Sequence, residues 1–126
     1  MGNIVGIGTD LVHIPRIEQI YARFGARFAD RILHPDERTE FNQSKQPVSF
    51  LAKRFAAKEA LAKALGTGIA HGVQFHDFII RKDARGQPQV TLEGGAKRHA
   101  AQHPVTAVHL SISDEREYAL AFVVLS

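Results

Sequence analysis

A chain of 126 residues with 44% hydrophobic and 23% charged residues has the size and balance of one modest globular domain, with too small a core to enclose a large site alone. It contains no cysteine, which excludes disulfides, thiolate zinc sites and a cysteine nucleophile, and fits a reducing compartment. Sixteen Lys and Arg against thirteen Asp and Glu give a net charge of +3, which favours an anionic partner: nucleic acid, phosphates or an acidic protein.

The opening run Met1-Gly2-Asn3-Ile4-Val5-Gly6 has no basic region followed by a long apolar stretch, so no signal peptide is predicted. Residues 3–9 read as a short strand, with Val5 and Ile7 on one face and glycines on the other. Ile14, Ile17, Tyr21 and Phe24 recur at helical spacing and predict a helix over 14–24; residues 28–33 add a turn or two. Pro35-Asp36-Glu37 opens a new helix, with proline in the first turn and acids at the positive end. A long helix follows over 47–65, stopped by Gly66. Strands over 73–82 and 89–92 flank the turn Asp83-Ala84-Arg85-Gly86, and residues 95–102 form a short helix. Strands over 105–113 and 118–125 make a terminal hairpin around Asp114-Glu115-Arg116-Glu117. The last strand is the most apolar run and is too short to span a bilayer, so the expected location is cytoplasmic, with no membrane partner. The order of elements reads as one α+β domain over residues 1–126, without repeat or linker.

Within the long helix, Glu59 falls in the middle of an apolar stripe with Val48, Leu51, Ala52, Phe55 and Ala62. A carboxylate there needs a cation or hydrogen bonds; patterning leaves open a structural arginine pair or a functional ion. Asp10, after Gly6-Ile7-Gly8-Thr9, stands at a strand end, where it either caps the next helix or presents a ligand. Lys63, four residues after Glu59, makes an ordinary helix pair or a cation beside a bound phosphate. On the strand 105–113, His109, Ser111 and Ser113 share a polar face, solvated or lining a pocket, opposite Val108, Leu110 and Ile112.

Other motifs fail on context. Gly6-Ile7-Gly8 opens a dinucleotide fingerprint, but Leu11 stands where its third glycine belongs. Gly66-Thr67-Gly68 follows a helix where a P-loop precedes one, and the seven histidines include no HExxH pair. No serine occupies a nucleophile elbow. Nucleic-acid binding has the basic charge in its favour, yet the aromatics fall on apolar faces and tryptophan is absent, so no nucleic-acid partner is expected.

Taken together, the run from Gly6 to Ile17, GIGTDLVHIPRI, resembles the N-terminal signature of holo-acyl-carrier-protein synthases. The run from Phe50 to Gly68, FLAKRFAAKEALAKALGTG, resembles their second and more specific signature, and the terminal strand His109-Leu110-Ser111-Ile112-Ser113 completes the likeness. The resemblance implies a 4′-phosphopantetheinyl transferase fold, a mainly antiparallel sheet packed on a long central helix, and a homotrimer with active sites between protomers. It also implies the reaction: a serine hydroxyl of apo acyl carrier protein attacks the β-phosphate of coenzyme A, releasing adenosine 3′,5′-bisphosphate. In that reading Asp10 and Glu59 hold Mg²⁺, and Lys63 neutralises the phosphoryl group in transfer. Glu59 takes the serine proton, directly or through a metal-bound water. Arg54, Lys63, Gly66, Thr67, His109 and Ser111 line the coenzyme A site. Arg16, Arg23 and Arg27 dock the acidic carrier protein, sharing one stripe if the helix continues through Gly25. One departure stands out: many relatives carry a histidine just after the strand, where this chain has Asp114-Glu115-Arg116, so no role of that histidine carries over.

Overall fold

The structure is a computed structural model in which residues 3–126 are described; Met1 and Gly2, the start of the run read for a signal peptide, lie outside the described residues. The chain runs β1 (Gly6–His13), α1 (Ile14–Phe24), α2 (Ala26–Ile32), a 3-10 turn at Pro35–Glu37, and α3 (Arg38–Gln43). There follow α4 (Pro47–Leu65), a 3-10 turn at Phe75–Asp77, β2 (Phe78–Lys82), β3 (Pro88–Leu92), α5 (Gly94–Gln102), β4 (Val108–Glu115) and β5 (Tyr118–Leu125). This is the α+β arrangement the sequence predicts. A three-stranded antiparallel sheet has the order β1-β5-β4, and β2 and β3 form a separate antiparallel pair.

Helix α4 is the centre of the molecule. Twelve of its 19 residues are buried, around its whole circumference rather than along one stripe. Alanines at 52, 56, 57, 60, 62 and 64 make this possible, because small side chains let neighbours approach from every side. The sheet lies on one flank through Ala119, Ala121, Val123 and Leu125 of β5; the other helices and β2 pack around the rest.

Helix α4 and β1 approach each other backbone to backbone. A Cβ built on Gly8 would lie 2.0 Å from the Ala60 carbonyl oxygen, and one on Gly6 would lie 2.1 Å from that of Ala64. No side chain fits at either place. The glycine face of β1 is therefore the buried one, and Ile7 and Leu11 point away from α4, 62% and 63% exposed.

The boundaries shift from the sequence reading for identifiable reasons. β1 extends through His13 because β5 pairs with it along its length, from Gly6 opposite Leu125 to His13 opposite Tyr118. Residues 73–77 do not extend β2: the Asp77 carboxylate accepts hydrogen bonds from the Gln74 and Ala96 N–H groups and holds a tight turn there. β4 begins only at Val108, since the Thr106 and Ala107 N–H groups both donate to the Ser126 carbonyl. Gly25, at φ 57° and ψ −131°, a conformation that L side chains rarely adopt, ends α1 and turns the chain into α2.

Gly8→Ala should be among the most damaging single substitutions in the chain, costing more than about 4 kcal/mol because rigid backbone on both sides must separate. Urea denaturation of the purified variant measures this, and a loss within about 1 kcal/mol would contradict the close approach.

Candidate active site

The β1–α4 contact brings three of the predicted residues together. Asp10 is not a helix cap: it sits inside β1, its side chain 15% exposed, while His13 occupies the position before α1 without a side-chain cap. In register Asp10 lies opposite the buried Ala121, which puts it on the helix-facing side of the sheet. Lys63 reaches across from α4, with Nζ 2.9 Å from Asp10 Oδ1 and 3.0 Å from the Thr9 carbonyl oxygen. Glu59, one turn earlier on α4, is half-buried beside them. Burial pushes its carboxyl pKa above the ordinary value, the Asp10 charge adds to that rise, and Lys63 opposes it.

The result is a pair of carboxylates and an ammonium on rigid elements. Among the described residues no group of three or more His, Cys, Asp or Glu side chains is arranged to hold a metal, so any ion here has two protein carboxylates and draws its remaining ligands from elsewhere. That donor set suits Mg²⁺, which keeps waters and takes substrate phosphate oxygens, and is too sparse for an all-protein calcium or zinc site.

Gly66 and Thr67 form the turn that ends α4, one turn beyond Lys63, with Gly66 in a left-handed conformation. The other predicted site residues lie elsewhere. His109 and Ser111 are on β4, at the opposite edge of the sheet from β1, and face away from α4. In that row Ser111 pairs with Phe122, which pairs in turn with Thr9. Their cleft runs along the β2–β3 turn and is lined by Arg85 to Gln89. An adjoining cleft, sharing Gly86, Pro88 and Ile112, holds Arg54 with Lys53, Lys82 and Asp114.

Arg54 is 3% exposed and belongs to a buried ionic network that sequence reasoning missed. Its centre is Glu37, whose Oε1 accepts from Lys58 Nζ at 2.6 Å and from the His34 N–H at 2.8 Å. Glu37 Oε2 accepts from the Ile80 N–H at 3.1 Å and lies 3.2 Å from Arg54 Nε, near enough to pair but not aligned as a hydrogen bond. Arg54 Nη2 donates to Glu40 at 3.0 Å, and its guanidinium stacks over the Phe50 ring. Lys58, fully buried, also donates to the Ile32 carbonyl, and burial lowers its pKa against the pull of Glu37. The helical projection found the desolvated carboxylate at 59 and passed over the more deeply buried lysine beside it. The available signal was Lys58 itself, flanked by Ala56, Ala57 and Ala60.

The arginine stripe is broken. Arg16 and Arg23 are exposed on α1, but Gly25 ends that helix, so Arg27 belongs to α2. There it lines a groove with Ile20, Phe24, Phe28 and Arg31, an apolar floor with a guanidinium rim.

The family model for the 4′-phosphopantetheinyl transferase superfamily matches residues 6–123, which include every residue of this cluster. The chain belongs to this superfamily. It is 57% identical to the holo-[acyl-carrier-protein] synthase of Vibrio cholerae over 122 residues, covering 97% of both chains. The crystal structure of holo-[acyl-carrier-protein] synthase from Neisseria meningitidis superposes with a TM-score of 0.92 at 47% identity, covering 98% of this chain and 99% of that one. The Helicobacter pylori synthase, whose structure is a complex with coenzyme A, gives a TM-score of 0.83 at 36% identity, over 95% of this chain and 99% of that one. The chain is accordingly a transferase.

The raised Glu59 pKa fixes the sign of a pH effect. The neutral form is favoured by folding, so this contribution is full below the ordinary carboxyl pKa of 4.5 and is lost as pH rises through the higher folded value. Glu59→Gln, free of that charge, should melt at a higher temperature than the parent at about pH 8 without divalent cations. The gap should close as pH falls below 4.5, and calorimetry across that range measures it. A gap independent of pH would mean that Glu59 is not desolvated as an ion.

Proposed function

We propose that the chain transfers the 4′-phosphopantetheine group of coenzyme A to a serine of apo acyl carrier protein, with Mg²⁺, releasing adenosine 3′,5′-bisphosphate. The observation that carries this reading is the convergence of Asp10, Glu59 and Lys63 on the β1–α4 contact, in a chain whose relatives are holo-[acyl-carrier-protein] synthases.

Asp10 and Glu59 would hold the Mg²⁺. Two facing carboxylates, one of them made reluctant to ionise, are the imbalance a divalent cation relieves. When bound, the ion supplies charge neutralisation at the diphosphate of coenzyme A. The serine oxygen forms its bond to the β-phosphorus as the bond from that phosphorus to the bridging oxygen breaks, and the electron pair leaves with the bisphosphate. The hydroxyl proton goes to Glu59, directly or across one water. The Lys63 ammonium, carried on a rigid helix, neutralises charge on the phosphoryl oxygens. Gly66 and Thr67, at the end of the same helix one turn farther on, would flank the same ligand.

A homotrimer with sites between protomers belongs to this reading. Arg54, His109 and Ser111 lie on adjoining clefts around the β2–β3 turn, across the sheet from Asp10. A second copy would bring its His109 and Ser111 to the coenzyme A held at Asp10. The outer face of the sheet supports the same assembly: besides Ile7 and Leu11 it carries Leu120 and Phe122, 41% and 48% exposed, an apolar surface that a partner copy would cover. Each copy acts as one domain, and a cytoplasmic location fits the reaction. The groove of Ile20, Phe24 and Phe28, rimmed by Arg27 and Arg31 with Arg23 beside it, suits an acidic amphipathic helix of the carrier protein.

Incubating the protein with coenzyme A, Mg²⁺ and an apo carrier protein should add one phosphopantetheine to the carrier by intact mass; an unmodified carrier rejects the reading. Asp10→Asn keeps the size of the side chain inside β1 and removes its charge, so it tests the carboxylate as a ligand. It should lower turnover at limiting Mg²⁺ by at least about 100-fold with little change in melting temperature. Wild-type turnover would reject Asp10 as a ligand.

Reversing Arg16 and Arg23 to glutamate should raise the KM for the carrier protein about tenfold or more, leave that for coenzyme A unchanged, and flatten the salt dependence. Equal damage to both substrates would point instead to folding or assembly.

A further inference from the structure

The carboxylate cluster already contains a cation of its own. Lys63 Nζ contacts two oxygens, Asp10 Oδ1 at 2.9 Å and the Thr9 carbonyl at 3.0 Å, and oxygens are what a hard divalent ion selects. The spacing to Glu59, four residues earlier on the same helix, would allow an ordinary surface pair within α4. Lys63 instead crosses to β1 and pairs with Asp10. The Asp10 side chain is 15% exposed and held in a strand, whereas that of Lys63 is 51% exposed on a flexible stem. One partner is fixed and the other can leave.

We propose that Lys63 is a tethered competitor for the divalent cation at Asp10, holding the carboxylate until the ion arrives and then swinging to the coenzyme A diphosphate. This rests on the reading of Asp10 and Glu59 as metal ligands. The charge balance gives the reason. Two carboxylates and one ammonium leave a single negative charge; two carboxylates and a divalent ion leave none, and the ammonium is then unpaired. It needs an anion, and the diphosphate is one. A half-exposed ion pair is weak enough to be exchanged in this way. The consequence is coupling: the diphosphate draws Lys63 off Asp10 and so tightens metal binding, and by reciprocity the metal tightens binding of the diphosphate. Lys63 thereby gives the empty site a neutralised Asp10 and the loaded site a free positive charge.

The test follows Mn²⁺ binding to the full chain by paramagnetic resonance of the free ion, with and without saturating coenzyme A, and without carrier protein so that nothing turns over. In the parent protein, coenzyme A should tighten Mn²⁺ binding by about tenfold or more. Lys63→Met should bind Mn²⁺ alone about fivefold more tightly than the parent, and coenzyme A should tighten that binding by a smaller factor than in the parent. Tightening by the same factor with and without coenzyme A would overturn the proposal, since that is repulsion at a distance by a lysine that never moves. Mn²⁺ binding unchanged or weakened in the variant would overturn it as well. If instead Asp10→Asn binds Mn²⁺ as the parent does, the metal site itself is misplaced and the proposal falls with it, a result distinct from the other two.

Discussion

Backbone contact between β1 and α4 governs the rest of the molecule. With Gly6 and Gly8 set against the carbonyl oxygens of Ala64 and Ala60, strand and helix lie closer than any pair of side chains would allow. That closeness lets a short aspartate on the strand meet groups on the helix. It also leaves β1 with two unlike faces, one of bare backbone pressed to the helix and one of large apolar side chains turned outward. The site and the outer apolar surface thus have one origin.

A second constraint works from the far side of α4. The Glu37 carboxylate accepts from Lys58, from His34 and from the Ile80 backbone, tying the 3-10 turn, the helix and β2 into one unit. Each added hydrogen bond offsets part of the desolvation of these ions, and loss of one partner would strand the others at a cost of about 3–5 kcal/mol. The glycine contact sets how near α4 lies to the sheet; the ionic network sets its rotation about its own axis. Glu59, between Lys58 and Ala60, faces Asp10 because both are satisfied.

Much of this was legible in the sequence, and the exceptions have physical causes. Helices α1 and α4 and strand β5 run over the predicted residues because their periodicity is strong and their ends are marked by proline and glycine. The sequence singles out Asp10, Glu59 and Lys63, which the structure brings together, but the stripe argument for Glu59 assumes a helix with one buried face. An alanine-rich helix surrounded by neighbours has no such single face, and so the burial of Lys58 and Arg54 went unseen. The outer sheet surface was missed for a related reason. The run from Tyr118 to Leu125 is apolar at nearly every position, a pattern of strands covered on both sides. Arg27 left the stripe of Arg16 and Arg23 because one glycine turned the chain.

Most binding sites sit on loops held by a scaffold, and loops open locally while the scaffold stays folded. Here the acidic groups stand on β1 and on the second half of α4, two elements in close backbone contact. Amide hydrogens in the second half of α4, and those of β1 that bond to β5, should exchange with solvent only when the whole molecule unfolds. The site then has no private route to disorder. Its backbone geometry is as durable as the fold, and no segment of β1 or α4 has to order when ligands arrive.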